Sequence, residues 1–300
     1  GGASIDPAAG TTIGVGSTSA ANFVSYANTL KSEATAAGKT FAFAAVNFVQ
    51  GESDIATNMA QAIYATHLEN LRAALQTGIR GVTGNSDDLL VVMMQPSANL
   101  GAAGAGAGPV LAQLDKAQND PHYFLCGAPM YRFPTSTFDN IHLTNVGYKL
   151  QGAYFGKANA AILQGKKPQW INPKSAVYSG NTITLLFDVP VRPLVLDTTT
   201  LGLATNYGFK VLDNGASTTI SSVVAADDRV IITLSAALSG SGPVLVRYAL
   251  DYVGAGINII NGRSGNLRDS DPQTIAISGT VYPLTNWAPH FQLTATNVGV

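Results

Sequence analysis

Charge is scarce in this chain. Asp, Glu, Lys and Arg make up 12% of its 300 residues, about half the usual share, and Gly, Ala, Ser, Thr and Asn take their place. The net charge is −1, and no basic cluster exceeds Gly165-Lys166-Lys167-Pro168. That excludes the electrostatic footprint of a nucleic-acid-binding protein. Cysteine is nearly absent too: Cys126 stands alone, so no intrachain disulfide and no cysteine-based metal site is possible. Within the apolar run Tyr123–Gly127 it is expected to be a buried thiol. No stretch approaches the roughly 20 apolar residues of a membrane-spanning helix, so no membrane partner is expected. The first residues, Gly-Gly-Ala-Ser-Ile-Asp-Pro, lack both the basic and the apolar region of a signal peptide, and the chain reads as though entered partway through. Low-charge polar surfaces accompany secreted and viral proteins, so the expected setting is extracellular, periplasmic or virion-associated.

What is present falls into two halves. Up to about residue 167 helix and strand patterns alternate. Phe23, Tyr26, Ala27 and Leu30 recur at helical spacing over 20–36, and Gly38 follows. Thr40–Val49 is a nearly continuous apolar run, as a strand covered on both faces would be. A helical pattern spans 56–78 through Ile63, His67, Leu68, Leu71 and Leu75. Leu89–Met94 and Tyr123–Leu125 read as further buried strands, with a Gly/Ala loop at 101–108, a short helix from Pro109 and a closing helix over 144–163. Strands separated by helices imply a parallel sheet covered on both faces. After Gln169 helical periodicity disappears. Residues 181–187, 218–224, 229–234 and 244–250 are short, β-branched and bounded by turn residues. They predict a β-sandwich, so the expected domains are 1–167 and 168–300.

Two segments carry candidate chemistry. Gln50-Gly51-Glu52-Ser53-Asp54 follows a buried strand, and ligands of parallel α/β sheets bind at the carboxyl ends of strands. A Gln amide there can donate to a developing oxyanion. The same segment also suits a plain strand-to-helix turn capped by Ser53 or Asp54. The second segment is Asp139-Asn140-Ile141-His142-Leu143-Thr144. An Asp three residues before a His in a turn can accept from the imidazole Nδ1–H, fix the tautomer and leave Nε2 facing outward to take a proton from a serine. His67, His122 and His290 are expected to be structural.

Together these segments resemble the sialate O-acetylesterase and acetylxylan-esterase branch of the SGNH hydrolases. The opening Gly1-Gly2-Ala3-Ser4-Ile5-Asp6, the Tyr64…Leu68…Leu71-Arg72 helix, Arg247-Tyr248-Ala249, Gly265–Ser270 and Asn286-Trp287 are also similar to that family. The resemblance implies an α/β, flavodoxin-like three-layer hydrolase domain, N-terminally incomplete, followed by the sandwich. It implies His142 as general base, Asp139 as its orienter, Gly2 and Gln50 as oxyanion donors and Glu52 as support. It also implies an acetylated glycan as substrate, serine acyl-enzyme hydrolysis, and neither metal nor cofactor. The family's nucleophile block should precede the Gly-Gly segment, so the serine is expected upstream of Gly1, on a segment that docks onto this chain. Ser17 and Ser4 are weak substitutes.

The alternative is a catalytically inactive glycan-binding or structural module, for example of a phage tail spike. An SGNH lipase or thioesterase is a third reading, and a homo-oligomer is compatible with each. In the loop 262–271, Arg268 beside Asp269 is expected either to pair locally or to brace the two domains together with Trp287 and Tyr282.

Overall fold

The computed structural model describes residues 2–101, 106–139, 141–252 and 263–299. Of the residues singled out above, Gly1, Asn140, Gly262 and 102–105 lie outside them.

The first half alternates as its pattern predicts: α1 (Thr18–Ala36), β1 (Ala45–Val49), α2 (Glu52–Ala56), α3 (Gln61–Thr83), β2 (Leu90–Met94), α4 (Gly108–Asn119), β3 (Tyr123–Leu125) and α5 (Asn145–Leu163). The three strands form a parallel sheet in the order β1-β2-β3. Its carboxyl ends place Gln50, Gln95 and Cys126 along one rim. Val92, Met93 and Met94 are fully buried, as a central parallel strand requires.

Details depart from the sequence expectation. β1 starts at Ala45 because Phe41 and Phe43 are drawn off to an aromatic cluster with Phe23 of α1. It is an edge strand on which Asn47 and Val49 are exposed, so it is not covered on both faces. On α1 the inward side is Ala27 with Phe23 and Val24, whereas Tyr26 and Leu30 are exposed. Val24 sits against Gly78 of α3, where any β-carbon would collide with it. The pattern read as one helix over 56–78 is broken at Asn58 (φ 56°) into α2 and α3. The buried face of α3 runs through Tyr64, Leu68, Leu71, Leu75 and Ile79, with Ile63 exposed. Cys126 is buried, its thiol donates to the Ala128 carbonyl at 3.3 Å, and burial pushes its pKa up to about 12.

The second half contains β4 (Asn172–Ser179), β5 (Thr182–Asp188), β6 (Val195–Leu196), β7 (Phe209–Asp213), β8 (Ala216–Ser217), β9 (Ile220–Ala226), β10 (Arg229–Leu234) and β11 (Val244–Tyr248). β12 (Leu267–Arg268), β13 (Thr274–Ile277), β14 (Thr280–Pro283) and β15 (Phe291–Asn297) follow. Eight of them make one mixed sheet in the order β8-β7-β11-β15-β4-β5-β10-β9. All its pairings are antiparallel except β15 with β4. The first and last strands in that order, β8 and β9, are joined only by Thr218 and Thr219. The sheet must therefore curl until its two edges meet. The expected two-sheet sandwich is thus replaced by one rolled sheet, with β12–β6 and β13–β14 as separate two-stranded pieces. Phe209, Tyr248 and Phe291 line its interior in neighbouring strands.

The two halves share a continuous core. Residues 286–290, between β14 and β15, pack into the α/β layer. The Trp287 backbone N–H donates to the Gly127 carbonyl at 2.8 Å, Tyr131 Oη donates to the Ala288 carbonyl at 2.6 Å, and Arg132 stacks over the Trp287 ring. The bracing role offered for Arg268 belongs elsewhere. Arg268 pairs with Asp197 at 2.6 Å and donates to the Asp269 carbonyl at 2.7 Å, both within the β half. The cross-brace is Lys157 of α5, whose ammonium reaches Asp271 (2.6 Å), the Leu284 carbonyl (3.1 Å) and Asn286 (3.1 Å). Trp287 does lie on the junction, but Tyr282 is in the β13–β14 hairpin.

Candidate active site

Thr135 and Leu143 form a β-bridge, and the Ser136 N–H donates to the His142 carbonyl at 2.7 Å. These contacts close the connection between β3 and α5 into a loop whose tip carries Asp139. Thr144 caps α5 by accepting from the Gly147 N–H at 3.1 Å. Between bridge and cap, Asp139 Oδ1 accepts the N–H groups of Ile141 (2.9 Å) and His142 (3.0 Å). Its Oδ2 receives His142 Nδ1 at 2.5 Å. Those backbone donors, with the imidazole added, hold the carboxyl down at about 2, so it is ionised throughout the physiological range. The imidazole is 63% exposed, and Nε2 has no hydrogen-bond partner among the described residues.

The Gln50–Asp54 turn is built around Gly51 (φ 137°), where a β-carbon would collide with Pro96. Gly51 also provides the N-cap of α2, in place of the expected Ser53 or Asp54. Glu52 lies close enough to His142 for their charges to interact. Burial raises its carboxyl above the usual range, and the neighbouring His142 opposes that shift. The Glu52 carbonyl accepts from Asn99 at 3.1 Å. Gly2 packs on Ser53, so close that a side chain at position 2 would meet its hydroxyl. The exposed Gly2 N–H has no hydrogen-bond partner among the described residues. The structure thus brings Gly2 to the Glu52–Ser53 segment and sets Glu52 near His142.

Gln50 is a correction. Its Nε2 donates to the Ala3 carbonyl (2.9 Å) and to Asp54, while Oε1 accepts from Tyr64 at 2.8 Å. With both N–H bonds engaged inside the protein, the amide does not face an oxyanion. It holds the N-terminal segment. The residue that organises this corner is Asp54, fully buried, which takes Gln50, the Ser4 hydroxyl and the Ile5 N–H (3.1 Å). Its neighbours in sequence gave it only a capping role; the bond to Ile5, 49 residues away, leaves no local signal.

The weak nucleophile candidates are accounted for as well. Ser17 is the N-cap of α1, accepting from the Ala20 N–H at 3.1 Å. The Ser4 hydroxyl is bonded to Asp54 and accepts from the Asp6 N–H at 3.0 Å. Neither bonds to a histidine.

The structure does contain a serine–histidine pair that the sequence gives no hint of. Ser97 Oγ lies 2.8 Å from His290 Nε2, and both residues are fully buried. His290 Nδ1 lies 2.6 Å from the Ala249 carbonyl, so Nδ1 carries the proton and Nε2 accepts from the serine. The Tyr131 N–H donates to the same Ser97 oxygen at 2.9 Å. Burial lowers the imidazole pKa to about 4. The other histidines are peripheral: His67 lies 4.0 Å from Asp6, and His122 sits between Asp120 (2.7 Å) and Asp88 (3.3 Å). Among the described residues no three His, Cys, Asp or Glu side chains group as a metal site would, and no helix is long and apolar enough to cross a membrane.

The fold is similar to the crystal structure of a carbohydrate acetylesterase from Xanthomonas citri, with a TM-score of 0.50 and 20% identity over 76% of this chain and 48% of that one. The chain thus spans about half the length of that esterase. Two structures of the bacterial S-layer protein SbsC, one of its N-terminal part, align at TM-scores of 0.27 and 0.28 and 12% identity. They cover 93% of this chain and 56% and 32% of theirs, and those scores fall below a shared fold. No protein-family model and no curated protein matches the sequence.

Proposed function

We propose that the protein is a glycan O-acetylesterase working through a serine acyl-enzyme, related to the SGNH branch that its motifs resemble. The observation that carries this reading is the exposed imidazole of His142, held through Nδ1 by the ionised Asp139 at 2.5 Å. In that tautomer the Nε2 lone pair points away from Asp139 and is ready to take a hydroxyl proton. As a serine oxygen attacks the acetyl carbonyl, His142 receives its proton and the carboxylate stabilises the imidazolium. The same proton then goes to the departing sugar oxygen, and water hydrolyses the acyl-enzyme by the reverse use of the base. The free N–H of Gly2 is assigned to the developing oxyanion, and the half-buried Glu52 supports the loop it sits in. Ser4 and Ser17 are engaged elsewhere, so the attacking hydroxyl is assigned to another serine presented at this rim. The fold likeness to a carbohydrate acetylesterase supports the substrate class.

The test is turnover of 4-nitrophenyl acetate and of acetylated xylan by the protein, with fluorophosphonate labelling to map the reactive serine. Loss of turnover in His142→Ala, with a labelled serine, is the expected result. Equal rates in the variant would remove His142 as the base. Binding of acetylated glycan without turnover or labelling would select a glycan-binding module.

A further inference from the structure

A recess lies beyond β3, the edge strand opposite β1. There the connection between α5 and β4 runs along a cleft. One stretch, about 600 Å³, is walled by the end of α4, the start of β3 and Trp170. Another, about 830 Å³, is walled by α5, Lys166, Lys167 and the segment 271–273. Lys167, Gln169 and Pro190 line both, so the two are adjoining parts of one elongated cleft. Each part alone has the size of a small-ligand site.

The charges in it are not balanced locally. Every carboxylate on its walls has a lysine partner. Asp120 shares Lys116 (3.4 Å) with Glu69 (3.0 Å), Asp188 has Lys174 (3.4 Å), and Asp271 has Lys157 (2.6 Å). Lys166 meets only Gln164, at 3.1 Å, and Lys167 makes no hydrogen bond or ion pair among the described residues. Two adjacent ammonium groups are therefore left for an outside anion where the two stretches join. Trp170 is half-buried in the wall beside them, and its indole N–H has no acceptor among the described residues. A flat apolar ring with a polar edge, next to uncompensated positive charge, suits a ligand that is at once anionic, hydroxylated and apolar on one face.

We propose that this cleft holds a stretch of acidic polysaccharide, carboxylate-bearing sugars bound by Lys166 and Lys167 with a ring face against Trp170. The proposal rests on the reading of the protein as acting on glycans and adds that the glycan is anionic. It also separates holding the polymer from cutting its esters, because the cleft takes no residue from the Asp139–His142 loop.

Affinity electrophoresis of the full 300-residue chain through gels containing polygalacturonate, dextran or polyphosphate tests it. Polygalacturonate should retard the protein most, polyphosphate clearly less for want of a ring face to meet Trp170, and dextran not at all. The double variant Lys166→Gln/Lys167→Gln, at exposed positions that leave the fold intact, should bind about fivefold more weakly. Trp170→Ala should weaken binding by a similar factor, and the lysine pair decides alone if that variant does not fold. His142→Ala should bind as the parent does. Equal retardation by dextran or by polyphosphate, or unchanged binding in the lysine double variant, would overturn the proposal. Retardation without esterase turnover would leave the cleft standing and remove the esterase reading; turnover without retardation would do the reverse.

Discussion

His142 and His290 each have a ring nitrogen fixed by an oxygen acceptor, and the remainder of their surroundings is opposite. At His142 the acceptor is a carboxylate, the ring is 63% exposed and Nε2 has no partner among the described residues. At His290 the acceptor is a peptide carbonyl, the ring is fully buried and Nε2 already holds the Ser97 hydroxyl at 2.8 Å. The pair with a serine lacks what catalysis needs. A carbonyl sets the tautomer but brings no full charge to stabilise an imidazolium, and burial makes that imidazolium still costlier. The Tyr131 N–H also occupies a lone pair on the Ser97 oxygen. Distance between serine and histidine is therefore a poor signature by itself; the acceptor's charge and the access to solvent separate a base from a strut.

The comparison breaks most sharply under substitution. In protein that turns over acetyl esters, His142→Ala should lower kcat/KM by about 10³- to 10⁴-fold and shift stability by less than about 0.5 kcal/mol, since the ring is exposed. Steady-state kinetics and urea melts read the two quantities. His290→Ala should do the opposite: a loss of about 3–4 kcal/mol from the cavity and the stranded Ser97 and Ala249 groups, with activity per folded molecule retained. Comparable catalytic losses in both variants would erase the distinction.

Acid sharpens it further. The His290 pKa is lowered in the fold, so the unfolded chain binds the extra proton between about pH 6.5 and pH 4. Stability from this group is full above pH 6.5 and is lost as the pH falls to 4, by about 3 kcal/mol at most. Urea midpoints across that window should fall more steeply in the parent than in His290→Asn. Equal slopes would show that the ring is not the source.

Why one histidine is readable from sequence and the other is not follows from separation along the chain. Asp139 and His142 are three residues apart and meet within one turn, so spacing alone suggests their bond. Ser97 and His290 are 193 residues apart and meet only because 286–290 return to the α/β core. Gln50 shows the same limit: its position after β1 is legible, but the Ala3 and Asp54 partners that turn its amide inward are set by tertiary packing. Strands behave likewise. The apolar run at Leu89–Met94 announces β2, whereas residues 218–224 look like one strand and in fact hold the corner at Thr218–Thr219, where the chain leaves β8 on one edge for β9 on the other. Hydrogen bonds to distant strands make that corner, and no local pattern records them.

The smallest effect tests the assignment of Ser17. Its side chain accepts the Ala20 N–H at 3.1 Å, satisfying one of the donors that the first turn of α1 leaves without a partner in the helix. Ser17→Ala should therefore cost about 1 kcal/mol, seen as a modest drop in melting temperature, while Ser17→Asp, which caps equally well, restores it. Asp has no hydroxyl, so a nucleophile at this position would be abolished by both changes. Turnover retained in both variants keeps Ser17 as a cap, and turnover lost in both would move the nucleophile to the start of α1 and bring that end of the helix into the active site.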